Sequence, residues 1–178
     1  MKFWIVFVSL LLVISTIPVF AAPMPATGTI ETCFSPKGGC TETIVNEIEN
    51  AKSELLIQAY SFTSVPIAKA VIAAKKRGVK IEALLDKSQR SGKYTAATFL
   101  INAGIPVLID AQHAIAHNKI IVIDRKTLIT GSFNFTKAAE EKNAENLLVI
   151  KGNPPLVLLY IQNFDHHKRH SEPYNRGE

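Results

Sequence analysis

The chain has 178 residues, which is enough for one domain with a substantial core and too few for two ordinary domains. Its composition is 47% hydrophobic and 20% charged, with nine glycines and nine prolines scattered along it, and this excludes a disordered or fibrous protein. The formal net charge of +5 is compatible with a polyanionic partner, but charge alone does not distinguish such a protein from one that is merely basic.

The first 21 residues predict a secretory signal peptide. Lys2 precedes an almost continuous apolar stretch over residues 3–20, and the sequence VFA at positions 19–21 suits cleavage after Ala21. The alternative is a retained membrane anchor, because the apolar stretch is near the lower length limit for spanning a bilayer. In either case we expect export, to the periplasm or the medium. Cleavage would remove one lysine and no acid, which leaves a net charge of +4.

Residues 22–32 are expected to form a linker, residues 33–172 the folded domain, and residues 173–178 a tail. The domain starts with two cysteines, Cys33 and Cys40, at the ends of the Pro/Gly-containing segment CFSPKGGC. In an exported protein this pattern favours a local disulfide, with two free thiols as the alternative. The spacing resembles no zinc-binding pattern.

Helical and strand-like periodicities alternate along the remaining chain. Helices are predicted over residues 41–51, with Thr41 as N-cap, and over residues 65–77, 94–103, 136–141 and 154–170. Strands are predicted over residues 54–60, 79–85, 106–109, 119–123, 127–130 and 146–150. This alternation, with apolar strands, predicts one α/β domain in which helices flank a mixed, largely buried β-sheet.

The segment from His117 to residue 124 reads HNKIIVID, and after six further residues the chain reads GSFN. Since side chains alternate along a strand, His117 and Lys119 should project to the same side. An imidazole can attack phosphorus or donate a proton, and a lysine beside it supplies positive charge. Ser132 and Asn134 are also two residues apart and follow the next strand, so strand pairing would place them beside the first pair. No aspartate cluster for Mg²⁺ accompanies them, so we expect a metal-independent mechanism without cofactors.

The remaining histidines do not predict a metal site. His113 and His117 are four residues apart, but the segment HAIAH lacks the glutamate of a zinc-protease helix. His166, His167 and His170 lie on the last predicted helix. They could bind a metal adventitiously, but we expect them to form a polar helix end.

The combination HxKx₄D, six residues and GSxN resembles the signature of the phospholipase D superfamily, without insertion or substitution. The segments AYSFT, AAKKRG and GSFNFTKAAE, beginning at residues 59, 73 and 131, resemble the small bacterial Nuc-type endonucleases of that superfamily. The resemblance extends over roughly residues 30–170 and implies a phospholipase D/nuclease-like fold.

The resemblance also implies roles for individual residues. His117 would be the nucleophile and form a covalent phosphohistidine. Lys119, Ser132 and Asn134 would bind the phosphate. Glu145 lies where family members hold an acidic residue that orients the catalytic histidine. Asp124, although part of the motif, is expected to support the strand pair rather than to touch substrate.

The single motif predicts a homodimer. In-line displacement at phosphorus needs a nucleophile on one side and an acid for the leaving oxygen on the other, and one imidazole cannot occupy both places. We therefore expect His117 of two chains to face each other across a two-fold axis.

The function expected is a non-specific endonuclease acting on DNA, with RNA as a further substrate. The alternatives are a phospholipase D-type lipid phosphodiesterase and a non-catalytic nucleic-acid-binding protein. Lys87, Arg90 and Lys93 could line a nucleic-acid groove or could be solvated loop charges.

Overall fold

A computed structural model of the chain describes residues 23–91 and 95–175, so the predicted signal peptide lies outside the described residues. The strands are β1 (Thr29–Ser35), β2 (Glu54–Ala59), β3 (Lys80–Asp86), β4 (Val107–Asp110), β5 (Lys119–Ile123), β6 (Thr127–Gly131), β7 (Glu145–Lys151) and β8 (Glu172–Pro173). The helices are α1 (Cys40–Glu49), α2 (Val65–Lys76), α3 (Ser88–Ser91), α4 (Ala96–Asn102), α5 (Lys137–Glu141) and α6 (Pro154–Lys168).

The strands form one mixed sheet in the order β1-β7-β6-β5-β2-β3-β4-β8. β2, β3 and β4 run parallel and are connected through helices. The four strands on the other side, β5, β6, β7 and β1, are antiparallel to their neighbours, and so is β8 at the opposite edge. The predicted mixed sheet flanked by helices is therefore confirmed.

The sheet is covered on both faces, which explains the nearly continuous apolar character of its central strands. Leu55 and Ile57 of β2 join the larger core cluster, to which α1, α2 and α4 contribute. Leu56, between them, joins a second cluster with Val157 and Phe164 of α6. Within the described parts of the chain, no helix has the length and apolar character needed to cross a bilayer.

Two stretches expected outside the domain belong to the sheet. Residues 29–32, assigned to the linker, form the first part of β1, which pairs with β7 from Thr29 opposite Lys151 to Ser35 opposite Glu145. Only Cys33 and Ser35 of β1 are buried, so this edge strand lacks the apolar pattern that would predict it. At the other end, Pro173 pairs with β4 and Tyr174 is buried, although both were assigned to the tail.

The start of α1 also differs from the prediction. Its N-cap is Gly39 rather than Thr41, and no side chain of the helix itself caps it. Instead the carboxylate of Glu140 in α5 accepts hydrogen bonds from the backbone N–H groups of Gly39 and Thr41, at 2.9 and 2.7 Å. A disulfide joins Cys33 of β1 to Cys40, the first residue of this helix. The helix start is thus fixed by a distant acid, which local sequence does not reveal.

Candidate active site

The residues of the two motif segments meet at one edge of the sheet, where four strands begin or end. Lys119 starts β5 and lies opposite Ala59, the last residue of β2. Gly131 ends β6 and lies opposite Leu147, near the start of β7. Because β5 and β6 pair antiparallel, the residues before β5 and those after β6 come to the same edge. The expected strand pairing is therefore present and brings the two motif segments together.

His117 lies in the loop before β5 and is exposed. Its ring is 4.7 Å from the ring of Tyr60 between centroids, at an interplanar angle of 52°. In the described part of the chain, its side chain makes no hydrogen bond. The loop is held just before it, since the buried carboxylate of Asp86 accepts a hydrogen bond from the N–H of Ala116 at 2.7 Å. The imidazole thus packs against Tyr60 while the residue as a whole stays exposed.

The ammonium group of Lys119 contacts the backbone of this histidine. Its side chain is only 5% exposed, its Nζ donates to the carbonyl oxygen of His117 at 2.7 Å, and Nζ lies 5.1 Å from the centroid of the Tyr60 ring. Burial lowers the pKa of Lys119, and the negative charges of Glu145 and Asp86 oppose this effect in part. A poorly solvated ammonium group attracts a phosphate more strongly than one in water would.

Ser132 and Glu145 form a hydrogen-bonded pair across β6 and β7. The hydroxyl of Ser132 donates to Oε2 of Glu145 at 2.6 Å and accepts from the N–H of Asn146 at 3.0 Å. Asn143 donates to the other carboxylate oxygen of Glu145 at 3.2 Å. Within one chain, the described residues show no hydrogen bond between Glu145 and His117. The orienting role that the resemblance implies for Glu145 therefore stays a prediction.

Gly131 permits this close approach of β6 and β7. Its φ of 147° is rare for residues with side chains, and a Cβ at this position would lie 2.3 Å from the carbonyl oxygen of Asn146. The N–H groups of Ser132 and Phe133 both donate to that same oxygen, at 3.0 and 3.1 Å. The glycine that starts the GSFN segment is thus required by backbone packing.

Asn134 is held between two buried aromatic residues, Phe133 and Phe135. Phe135 packs edge-on against Phe62 at 5.6 Å between ring centroids, and its backbone bonds to the segment after β2. The Oδ1 atom of Asn134 is buried and has no hydrogen-bond partner among the described residues. Buried polar atoms normally have a partner, so this oxygen is an exception within the site.

Asp124 lies at the opposite end of β5, about 17 Å from Lys119 at the usual rise per residue. Its carboxylate accepts hydrogen bonds from the backbone N–H groups of Lys52, Ser53 and Glu54 at 2.7–3.0 Å, and from the Ser53 hydroxyl at 2.8 Å. Asp124 is therefore separate from the other motif residues, in a position that suits a structural role.

Two site residues were not singled out from the sequence. Tyr60 was part of the segment AYSFT, but an aromatic residue at a strand end gave no reason to assign it to the site. Asp86 gave only the signal of an acid at the end of a predicted buried strand. The loop cations are engaged elsewhere: Lys87 donates to the carbonyl oxygen of His113 at 3.0 Å, and Arg90 pairs with Glu172 at 2.9 Å. Lys93 lies outside the described residues.

Potential metal ligands also come together in a way that the sequence analysis did not predict. It treated His113 separately from the histidines of the last helix. In the structure Asp110, His113, His167 and His170 form one cluster.

Comparison with known proteins identifies the family. Residues 44–168 match the family model described as "Cardiolipin synthase, PLD-like domain". The chain belongs to the phospholipase D superfamily. Members of this superfamily hydrolyse phosphodiester bonds, so the predicted enzyme class, a phosphodiester hydrolase, is confirmed together with the fold.

Individual superfamily members match over most of the chain. "Phospholipase D" of Rickettsia felis is 46% identical over 135 residues, which are 76% of this chain and 67% of that protein. The crystal structure of the phospholipase D family member Nuc from Salmonella typhimurium is 37% identical, with a TM-score of 0.80, over 83% of this chain and 98% of Nuc. NucT from Helicobacter pylori, at 21% identity and a TM-score of 0.74, covers 82% of this chain and supports the fold alone.

Proposed function

We propose that this phospholipase D-like protein is a metal-independent, non-specific endonuclease that cleaves DNA, and also RNA, through a phosphohistidine intermediate. The observation that carries the proposal is the match to Nuc, since 98% of that small protein aligns with this chain at 37% identity. The site geometry supports it, because a buried lysine lies beneath an exposed imidazole and beside a Ser–Glu pair.

In the first step, a nitrogen of His117 would attack phosphorus and form an N–P bond while the P–O bond to the leaving nucleoside breaks. The leaving oxygen takes a proton from a general acid. Lys119, together with Ser132 and Asn134, would bind the non-bridging oxygens, whose charge must be stabilised in the transition state. In the second step, the group that acted as the acid takes a proton from water. The water oxygen attacks phosphorus, the N–P bond to His117 breaks, and the phosphate product is released.

The general acid of this scheme is proposed to be His117 of a second subunit. One chain supplies a single imidazole at the site, and that imidazole cannot stand on both sides of phosphorus. Glu145 makes no hydrogen bond to His117 within one subunit, as noted above. A homodimer with the site on the two-fold axis would supply both the second imidazole and a carboxylate to orient it.

Lipid hydrolysis is the second candidate function, because the Rickettsia felis relative is named phospholipase D. The same catalytic residues would serve either substrate, so the site geometry alone does not choose between them. The two candidates differ in the substrate that the purified protein cleaves.

Export remains part of the proposal. The Cys33–Cys40 disulfide suits the oxidising compartment that an exported protein enters.

The test is a side-by-side assay of supercoiled plasmid DNA, RNA and phosphatidylcholine vesicles in excess EDTA. We expect nicking of DNA by the unmutated protein and a loss of at least about 10³-fold in His117→Ala, because the nucleophile is removed. His166→Ala is the matched control, since this exposed histidine lies on α6 outside the site, and it should retain full activity.

Cleavage of vesicles without cleavage of nucleic acid would replace the nuclease proposal by a phospholipase. If addition of a divalent metal were needed for nicking by a protein that circular dichroism shows to be folded in EDTA, the metal-independent mechanism would be wrong. Equal activity of His117→Ala and the unmutated protein would exclude His117 as nucleophile.

A further inference from the structure

A second cluster of chemically active side chains lies on the same sheet edge, two strands from Tyr60. Asp110 is the last residue of β4, and His113 follows it in the loop that leads to His117. His167 lies in the last turn of α6, and His170 follows the end of that helix. Oδ2 of Asp110 lies 2.9 Å from Nδ1 of His113, 2.8 Å from Nδ1 of His167 and 3.4 Å from Nε2 of His170. One ligand atom from each residue can be chosen so that all four lie within 4.8 Å of one another.

Asp110 is the centre of this cluster and is completely buried. Burial would raise its pKa, but the side-chain hydrogen bonds from His167, His113 and His170 outweigh that effect and hold the pKa below its usual range. Within the described ranges its side-chain partners are these three imidazoles, and no lysine or arginine is paired with it.

We propose that Asp110, His113, His167 and His170 bind one Zn²⁺ ion. Three imidazoles and one carboxylate are a donor set suited to zinc, whereas Mg²⁺ and Ca²⁺ prefer oxygen ligands. Bonds of about 2.0–2.1 Å in a tetrahedral site place ligand atoms roughly 3.3 Å apart. The separations of 2.8–3.4 Å between Asp110 and the three imidazoles are already close to this value. Small rotations of the histidine side chains would bring the remaining atoms together.

The proposed ion would be structural rather than catalytic. Four protein ligands fill a tetrahedral site, so no position remains for substrate or a reacting water. The ion would connect the end of α6, and the β8 strand that follows it, to the loop over residues 111–118. That loop holds His113 near one end and His117 near the other, so zinc would also restrain the segment that carries the nucleophile.

The test is zinc binding by the purified protein, prepared without a polyhistidine tag and freed of metal by chelation. Calorimetric titration with Zn²⁺ should show one site per chain. Loss of even an outer-shell partner of a metal site lowers affinity about 10- to 100-fold, so loss of a direct ligand in His113→Ala or His167→Ala should cost at least about 100-fold. His166→Ala should bind within about twofold of the unmutated protein, because its exposed side chain lies outside the four proposed ligands.

Thermal unfolding supplies a second measurement, because a ligand that binds only the folded state raises Tm. Zinc should raise the Tm of the unmutated protein and of His166→Ala, and should leave that of His167→Ala unchanged. His113→Ala is included in case His167→Ala does not fold. The His113 side chain is 42% exposed, so its loss should be tolerated by the fold. In the unmutated protein, Co²⁺ should give the intense visible absorption of a tetrahedral site.

Absence of zinc binding by the unmutated protein would overturn the proposal and leave a hydrogen-bonded cluster around Asp110. Equal zinc affinity in His113→Ala, His167→Ala and His166→Ala would assign the binding to other surface groups and would overturn it too. Neither measurement uses cleavage of a substrate, so a failure of the zinc proposal can be distinguished from a failure of the proposed nuclease activity.

Discussion

His117 is positioned by ring packing, because its side chain forms no hydrogen bond within the described part of one subunit. Tyr60 supplies this contact, with the two ring centroids 4.7 Å apart, and the same tyrosine ring lies near Nζ of Lys119. A single aromatic residue therefore contacts both of the groups that we propose to be catalytic. In our proposal the positions of these two groups determine how well the His117 imidazole is aligned with the P–O bond that breaks, and therefore the rate of cleavage.

Replacing Tyr60 should therefore reduce the rate of cleavage more than the affinity for substrate. We expect Tyr60→Ala to lower kcat at least about tenfold, since misplacement of a reacting group by about 1 Å can cost about 10²-fold. Tyr60→Phe keeps the ring and should stay within about twofold of the unmutated enzyme. Steady-state nicking assays measure both. Equal rates for Tyr60→Ala and the unmutated enzyme would exclude this positioning role.

At the scale of elements, the Asp124 carboxylate links the turn of the β5–β6 hairpin to the start of β2, in addition to the pairing of β2 with β5. Asp124 and Arg125 both have positive φ, 52° and 57°, in a turn that the N–H of Lys126 closes by donating to the carbonyl oxygen of Ile123 at 2.9 Å. Asp tolerates this conformation better than most residues. Its carboxylate accepts four hydrogen bonds from the segment of residues 52–54. These bonds hold the far end of β5, the strand that starts at Lys119.

Loss of this carboxylate should destabilise the fold in a pH-dependent way. Burial would raise the pKa of Asp124, but hydrogen bonds from the backbone of Glu54, Lys52 and Ser53 and from the Ser53 side chain lower it from 3.8 to about 2. Because the folded-state pKa is depressed, this contribution to stability is complete above about pH 4 and is lost as the pH falls towards 2. We expect Asp124→Ala to lower the free energy of unfolding by about 2–3 kcal/mol at pH 7, and by less at pH 3.

Urea unfolding of both proteins at the two pH values measures this difference. Asp165→Asn is the control, because the Asp165 side chain on α6 is exposed, and it should change stability by less than about 0.5 kcal/mol. A destabilisation by Asp124→Ala that is equal at pH 7 and pH 3 would show that the charge of Asp124 does not contribute.

At the scale of the whole molecule, the proposed dimer predicts how mixed subunits behave. If each site needs His117 from both chains, a dimer of one unmutated chain and one His117→Ala chain is inactive. Co-expression in equal amounts, with random pairing, should then leave about one quarter of the activity of the unmutated protein. Independent sites in each chain would leave about one half. Sedimentation must show a dimer, and a fully active monomer would contradict the prediction.

The sequence by itself determined the fold class and predicted the segments that meet at the candidate site. His117 and Lys119 lie just before and at the start of one strand, and Ser132 and Asn134 follow the next, so the pairing of these strands is enough to bring the two segments together. Five of the six described helices and the central strands were predicted within a few residues, since burial on one or two faces leaves a periodic apolar pattern, whereas the short helix α3 lies in a segment that was predicted as a loop. β1 and β8 were not, because edge strands with few buried residues leave no such pattern.

Only the tertiary structure decided which distant residues meet. Asp86 reaches the N–H of Ala116 across 30 positions, Glu140 caps α1 from about 100 positions away, and Asp110 meets His167 across 57. From the sequence His113 and the helix histidines belonged to separate segments, and we predicted no metal site. Parallel strands bring their carboxyl ends to one edge, and the packing of α6 across the sheet returns the C-terminal histidines to that edge. No local pattern records this contact, because it depends on how the elements pack and not on the spacing within any one of them.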